Sequence, residues 1–224
     1  MELSPILISI RTALCAIVFT FFLGILAARW VVFMKNRSLK LILDGLFTLP
    51  LVLPPTVAGF FLLYIFGVKR PVGKFFVEYF AFKIPFSFAA TVIAAVVMSF
   101  PLMYRSARGA FEQVDENLLF AGQTLGMPES RIFFRILLPN ALPGVLSGGI
   151  LAFARGLGEF GATTMIAGNI AGETRTLPLA VYSAVAAGDM SLASQYVAVL
   201  VLFSFVIIVG MNYFGLKDRK KRKR

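Results

Sequence analysis

Five stretches of this chain run for about 20 residues with few charges, the length a helix needs to cross a hydrocarbon core of about 30 Å. They cover residues 10–34, 41–66, 86–104, 141–166 and 193–216. Inside lipid no water is available to satisfy free N–H and C=O groups, so segments of this kind fold as helices. Of 224 residues 58% are apolar and only 15% are charged, a balance that belongs to a membrane protein and not to a soluble domain. The expected fold is all-α: one polytopic domain over residues 1–224 with about five transmembrane helices.

Charge sets the topology. A sixth apolar run, from Leu177 to Ala187, is too short to span and is expected in the outer interface or as a segment that dips in and out of the membrane. With five crossings, Lys35, Arg37, Lys40, Arg105, Arg108, Arg131, Arg135 and the basic residues of the tail 217–224 all face the cytoplasm. Lys69, Arg70, Lys74, Lys83 and Arg175 then lie outside. This orientation puts the N-terminus outside and the C-terminus in the cytoplasm, with the first span uncleaved. It also accounts for the net charge of +11 without nucleic acid, and anionic lipid is the natural contact of the tail.

The residue inventory excludes several chemistries. The chain has no His and one Cys, Cys15, so it holds neither a disulfide within the chain nor a transition-metal site of the usual N and S ligands. Hydrolytic triads that use His are excluded with it. Gly67 to Phe75 superficially resembles a phosphate loop, but five residues separate its glycines, Pro71 interrupts it and Phe75 stands where Ser or Thr is required. It reads as an outer hairpin loop, and no cofactor is expected on this chain.

Between the third and fourth apolar segments lies a polar loop, about residues 105–140, that contains Asp115 to Pro139. Asp115 is placed to cap a helix, Leu118, Gly122 and Leu125 share a helical face, and Gly126 supplies a left-handed stop. Pro128 at a first helical position and Glu129 in the first turn predict a second helix from Ser130 toward Pro139. Small residues at Ala121 and Gly122 would admit another protein's surface close to the backbone. After Ala121 and Gly122 come three residues, then Gly126, then nine residues, then Ile136-Leu137-Leu138-Pro139. This layout resembles the cytoplasmic signature loop of binding-protein-dependent ABC importer permeases, whose usual order is Glu-Ala-Ala, three residues, Gly, nine residues, Ile-x-Leu-Pro. Here Phe120 occupies the acidic position and Gly122 the second alanine, and Glu116 is the acid one turn earlier. The resemblance implies that residues 116–126 form a cytoplasmic coupling helix. It assigns contacts with an ATPase to Glu116, Leu118, Ala121, Gly122, Leu125, Gly126, Arg131 and Pro139.

Two features mark the membrane core. Gly144, Gly148, Ala152 and Gly156 recur every four residues and form a stripe for close helix packing. The same segment carries Arg155 and Glu159, ionisable residues that are costly in lipid and therefore face protein or water. Two readings stand: a mutual ion pair that neutralises both, or residues that line or brace the translocation route near a gate made flexible by Gly156, Gly158 and Gly161. In the second span Pro54 and Pro55 remove two donors and predict a break or kink, either beside a central cavity or for packing alone.

Phe153 to Ala162 and Ile170 to Pro178 resemble the permeases of molybdate ABC importers, and the Arg-Gly-Leu-Gly-Glu-Phe-Gly run is similar in sulfate permeases. The Gly-Glu-Thr-Arg-Thr run, from Gly172 to Thr176, favours molybdate. The resemblance implies a type I importer in a prokaryotic inner membrane. A second permease copy, two cytoplasmic ABC ATPase subunits that carry ATP and Mg, and an extracytoplasmic oxyanion-binding protein would be its partners. It would translocate molybdate or tungstate by alternating access. The alternatives are a sulfate or thiosulfate importer permease and an ATP-independent anion channel or carrier.

Overall fold

A computed structural model describes the backbone of residues 2–222 and the side chains of residues 2–210. The basic tail 217–224 lies outside the described side chains. The chain runs through α1 (Ser4–Val32), α2 (Arg37–Val52), α3 (Pro55–Phe66), α4 (Pro71–Phe80), α5 (Phe88–Glu112), α6 (Glu116–Thr124), α7 (Glu129–Ile132), α8 (Leu138–Leu157), α9 (Gly161–Ala167), α10 (Leu177–Ala186) and α11 (Met190–Arg222). Among the described residues there is no strand.

Among the described residues four helical runs are long and apolar enough to cross a membrane: Ser4–Val32, Phe88–Glu112, Glu129–Leu157 and Met190–Gly210. The fifth expected span is instead two helices, α2 and α3, that meet at 114°. The cause is local, because Leu53 and Pro54 are extended and Pro55 opens α3 without an N–H to continue the ladder of α2. Leu177–Ala186 is a separate short helix, as its length required.

The centre of the molecule is α5, flanked by α1 and α8. Thr12 and Thr91 share a hydrogen bond of 2.8 Å and Thr20 and Ser99 one of 3.0 Å, all four residues buried. The offset between partners is 79 in both pairs, so α1 and α5 run parallel. Buried hydroxyl pairs of this kind hold helices together where lipid offers no hydrophobic drive. The glycine stripe of α8 packs on α5 in the opposite sense. A Cβ on Gly144 would stand 2.7 Å from the Ala110 Cβ, one on Gly148 2.3 Å from the Ser106 Cβ, and one on Gly156 3.8 Å from the Ala95 Cβ. Rising numbers on α8 meet falling numbers on α5, so this pair is antiparallel. Tyr196, early in α11, receives the Glu2 N–H, and the Leu177 N–H donates to Ser9, so α10 and the start of α11 sit at the same end as the start of α1.

Among the described residues there are three apolar clusters, a small one that joins Leu177, Ala180 and Tyr196 and two larger ones that divide the bundle. One joins Ala28, Val31, Met103, Tyr104, Phe133, Leu137 and Val145 at the end that carries the polar loop. The other joins Ala58, Leu62, Ala90, Ala94, Met98, Ala162 and Ile166 toward the opposite end.

Candidate coupling surface and mid-depth junction

The polar loop folds as a small knob on the ends of α5 and α8. Asp115 caps α6, accepting from the Asn117 N–H at 2.9 Å, and Gly126 stops the segment at φ +71°. The Gly126 N–H donates to the Gln123 carbonyl and the Met127 N–H to the Gly122 carbonyl, so the last carbonyls of the turn are satisfied. Glu116 lies in the first turn, exposed.

Packing corrects two expectations. On the segment where Leu118, Gly122 and Leu125 share a helical face, Leu118 is 44% and Leu125 80% exposed, while Gly122 is buried and Leu119 packs against the core. Gly122 does not serve approach from outside. A Cβ there would stand 2.9 Å from Ile136 Cδ1 and 3.2 Å from Ile132 Cγ1, so the chain's own return helix occupies that space. Pro128 is the cap of α7 and not its first residue, and α7 is no separate helix ending at Pro139. It passes through a π-helical turn, Phe133–Leu137, into α8. Pro139 lacks the N–H that would bond Arg135, and the widened turn spans that gap. The knob therefore presents Leu118, Phe120, Ala121 and Leu125 outward, with Arg131 and Pro139 exposed beside it. It is tied to α1 as well, because the Arg29 guanidinium lies 4.5 Å from the Phe133 ring centroid. Beneath it a cleft of about 480 Å³ is lined by Arg105, Gln113, Asp115 and Asn140 among others.

The second assembly is internal. Glu159 is buried, and its Oε1 accepts from the Ala162 N–H at 2.8 Å, so the carboxylate caps α9. Its Oε2 lies 2.7 Å from Arg155 Nη1, an ion-pair contact without hydrogen-bond alignment. The predicted pair exists, and it braces the break between α8 and α9, where exposed Gly158 ends α8. That break meets the other one. A Cβ on Gly161 would stand 2.8 Å from the Pro55 Cβ, and one on Gly59 2.8 Å from the Ala162 Cα. Pro54 is exposed at the same junction. Because Gly156 faces Ala95 and Ser99, the junction lies about 10–17 Å along α5 from its first residue, near the middle of a core of about 30 Å.

At the end remote from the knob, the Gly-Glu-Thr-Arg-Thr run is a tight turn. Thr174 is fully buried and accepts from the Ile170 N–H, while the Arg175 Nε donates to Asn169 at 2.8 Å.

Sequence reasoning missed one cluster. The Asp44 Oδ1 accepts from Tyr104 at 2.9 Å and from the Arg108 guanidinium, and Arg108 Nε donates to Glu112 at 2.9 Å. Lys40 lies 3.8 Å from the same Glu112 oxygen. The signal was present: Asp44 is the lone carboxylate in residues 41–66, and an acid in an apolar run needs a partner.

Residues 20–222 match the family described as binding-protein-dependent transport system inner membrane component. The molybdenum transport system permease protein ModB of Haemophilus influenzae is 42% identical over 207 residues, which are 92% of this chain and 89% of that protein. The protein of the same description in Escherichia coli K12 is 38% identical over 224 residues, 100% of this chain and 97% of that one. Among solved structures, an inward-facing conformation of the MetNI methionine ABC transporter superposes with a TM-score of 0.74, covering 95% of this chain and 94% of that chain. At 14% identity that likeness establishes the fold alone.

Proposed function

The chain belongs to the binding-protein-dependent transport system inner membrane component family, and on that premise we propose that it is the membrane subunit of an ATP-driven molybdate importer. The observation that carries the cargo is the near full-length similarity to molybdenum permeases of two organisms. Tungstate, an oxyanion of the same shape and charge, is the natural second cargo. The family and the exposed apolar knob support a pair of ABC ATPase subunits, with ATP and Mg bound there, as the partner at the 105–140 loop. A second permease copy and an external oxyanion-binding protein complete the assembly.

In this reading the knob faces the cytoplasm, together with Lys35, Arg37, Lys40, Arg105 and Arg131, and the N-terminus faces outward. ATPase closure displaces α6, and α6 bears on Ile132 and Ile136 through the Gly122 seat. Those residues continue into α8, so the push travels along one helical run, Glu129–Leu157, to Gly158. There α9 and α3 turn as a unit, because Gly59 lies against Ala162 and Gly161 against Pro55. Broken helices at mid-depth are where transporters change access. Arg155 and Glu159 keep that junction assembled, and Pro54, Pro55, Gly158 and Gly161 are its pivots.

The test is ATP hydrolysis by the reconstituted assembly. A molybdate-loaded binding protein should stimulate it, and stimulation by a sulfate-loaded one alone would transfer the assignment to sulfate.

A further inference from the structure

Helix α4 lies between α3 and α5, apart from the knob and from the mid-depth junction. Helix α4 divides into three sectors around its axis. One sector seats it on the protein: a Cβ on Gly73 would stand 2.2 Å from the Gly67 carbonyl oxygen and 2.3 Å from that of Phe66, and Phe76 packs against the outer apolar cluster. The opposite sector is polar, with Lys74 and Glu78 paired at 3.3 Å. The third sector, Val72, Phe75 and Tyr79, is apolar and uncovered, with Tyr79 73% exposed, and Phe80 is 64% exposed at the end of the helix. Phe75 lies 4.8 Å from Tyr79 between centroids and 5.8 Å from Phe76, so the exposed rings pack onto the seated one.

We infer that α4 is an interfacial anchor whose aromatic sector lies in the headgroup and upper acyl region of the leaflet remote from the coupling knob. Three observations commit the surface to lipid. It continues the exposed apolar face of α3, where Phe60, Phe61, Tyr64 and Ile65 already stand uncovered in a membrane-spanning region. Its composition is the aromatic and basic mixture that settles at headgroup depth. Lys69, Arg70, Lys74 and Lys83 flank it against the one acid Glu78, which suits lipid phosphates. Arg70 lies 3.7 Å from the Tyr64 ring centroid, so the anchor is tied to the end of α3. The consequence is mechanical: the far end of α3 is held at a fixed depth while its Pro55 end pivots at the junction. This inference is independent of which oxyanion is carried.

The test uses the full chain with its single tryptophan moved, Trp30→Phe with Tyr79→Trp, reconstituted in phosphatidylethanolamine and phosphatidylglycerol vesicles. The emission should shift to the blue of free indole and be quenched more by lipids brominated near the headgroup than by lipids brominated near the bilayer centre, with little quenching by aqueous iodide. Phe75→Trp in the same background should report the same depth, and Lys74→Trp, on the polar sector, should be quenched by iodide. Strong iodide quenching at position 79 would mean a water-facing surface for a soluble partner and overturns the inference. So does protection from every quencher, which would mean cover by a second copy, and so does stronger quenching by the deep bromines.

Discussion

Gly122 and Gly126 lie four residues apart at the coupling knob and are required for different reasons. Gly122 has an ordinary backbone but no room, with Ile132 and Ile136 against it, whereas Gly126 has open space around it and a φ of +71°. At Gly126 a β-branched side chain is strained by about 1–3 kcal/mol wherever it points. Asparagine tolerates that backbone, so Gly126→Asn should keep ATPase co-purification while Gly126→Val loses it. At Gly122 the order differs: Asn and Val should both fail, because each lifts α6 from its seat at a cost of about 1–3 kcal/mol. Equal behaviour of Gly126→Asn and Gly122→Asn would contradict this division.

Elements are held by polar staples where apolar packing is thin. None of the residues of α2 is buried, and its grip on α5 includes Asp44 with Tyr104 and Arg108, Lys40 with Glu112, and the Phe47 ring 5.3 Å from Tyr104 and 5.6 Å from Phe100. Asp44→Ala should accelerate amide exchange through α2 in hydrogen-exchange measurements and leave α5 protected. An unchanged α2 would show that its hold lies elsewhere. At the other break, Glu159→Ala removes both the cap on Ala162 and the partner of Arg155, costing about 2 kcal/mol or more. Glu159→Gln keeps an oxygen for the Ala162 N–H, so its thermal midpoint in detergent should lie between those of the native protein and Glu159→Ala.

At the scale of the molecule, internal geometry alone separates two ends. The parallel α1 and α5, the antiparallel α8 and the return of Leu177 and Tyr196 to the start of α1 put the knob at one end and the Ile170 to Thr176 turn at the other. With Cys15 replaced by Ser, a cysteine at exposed Gln123 should react with an impermeant maleimide from the cytoplasmic side only, and one at exposed Glu173 from the outside only. Reversed labelling would invert the proposed direction of coupling.

Much of this was legible in the chain because local physics dictates it. Apolar length determines which segments are helices in lipid, Asp115 and Gly126 bound α6 through side-chain and backbone preference, and Pro54-Pro55 cannot continue a helix. The four-residue glycine stripe announced a close contact, though not that α5 was its partner. What needed the tertiary structure is whatever depends on residues far apart in sequence. Gly122 looked available to a partner until Ile132 and Ile136 filled its space, Asp44 finds Tyr104 and Arg108 only across the fold, and the breaks at Pro55 and Gly161 are separated along the chain yet touch. Periodicity reports which face of a helix is apolar, but which neighbour covers that face is settled only when the helices pack.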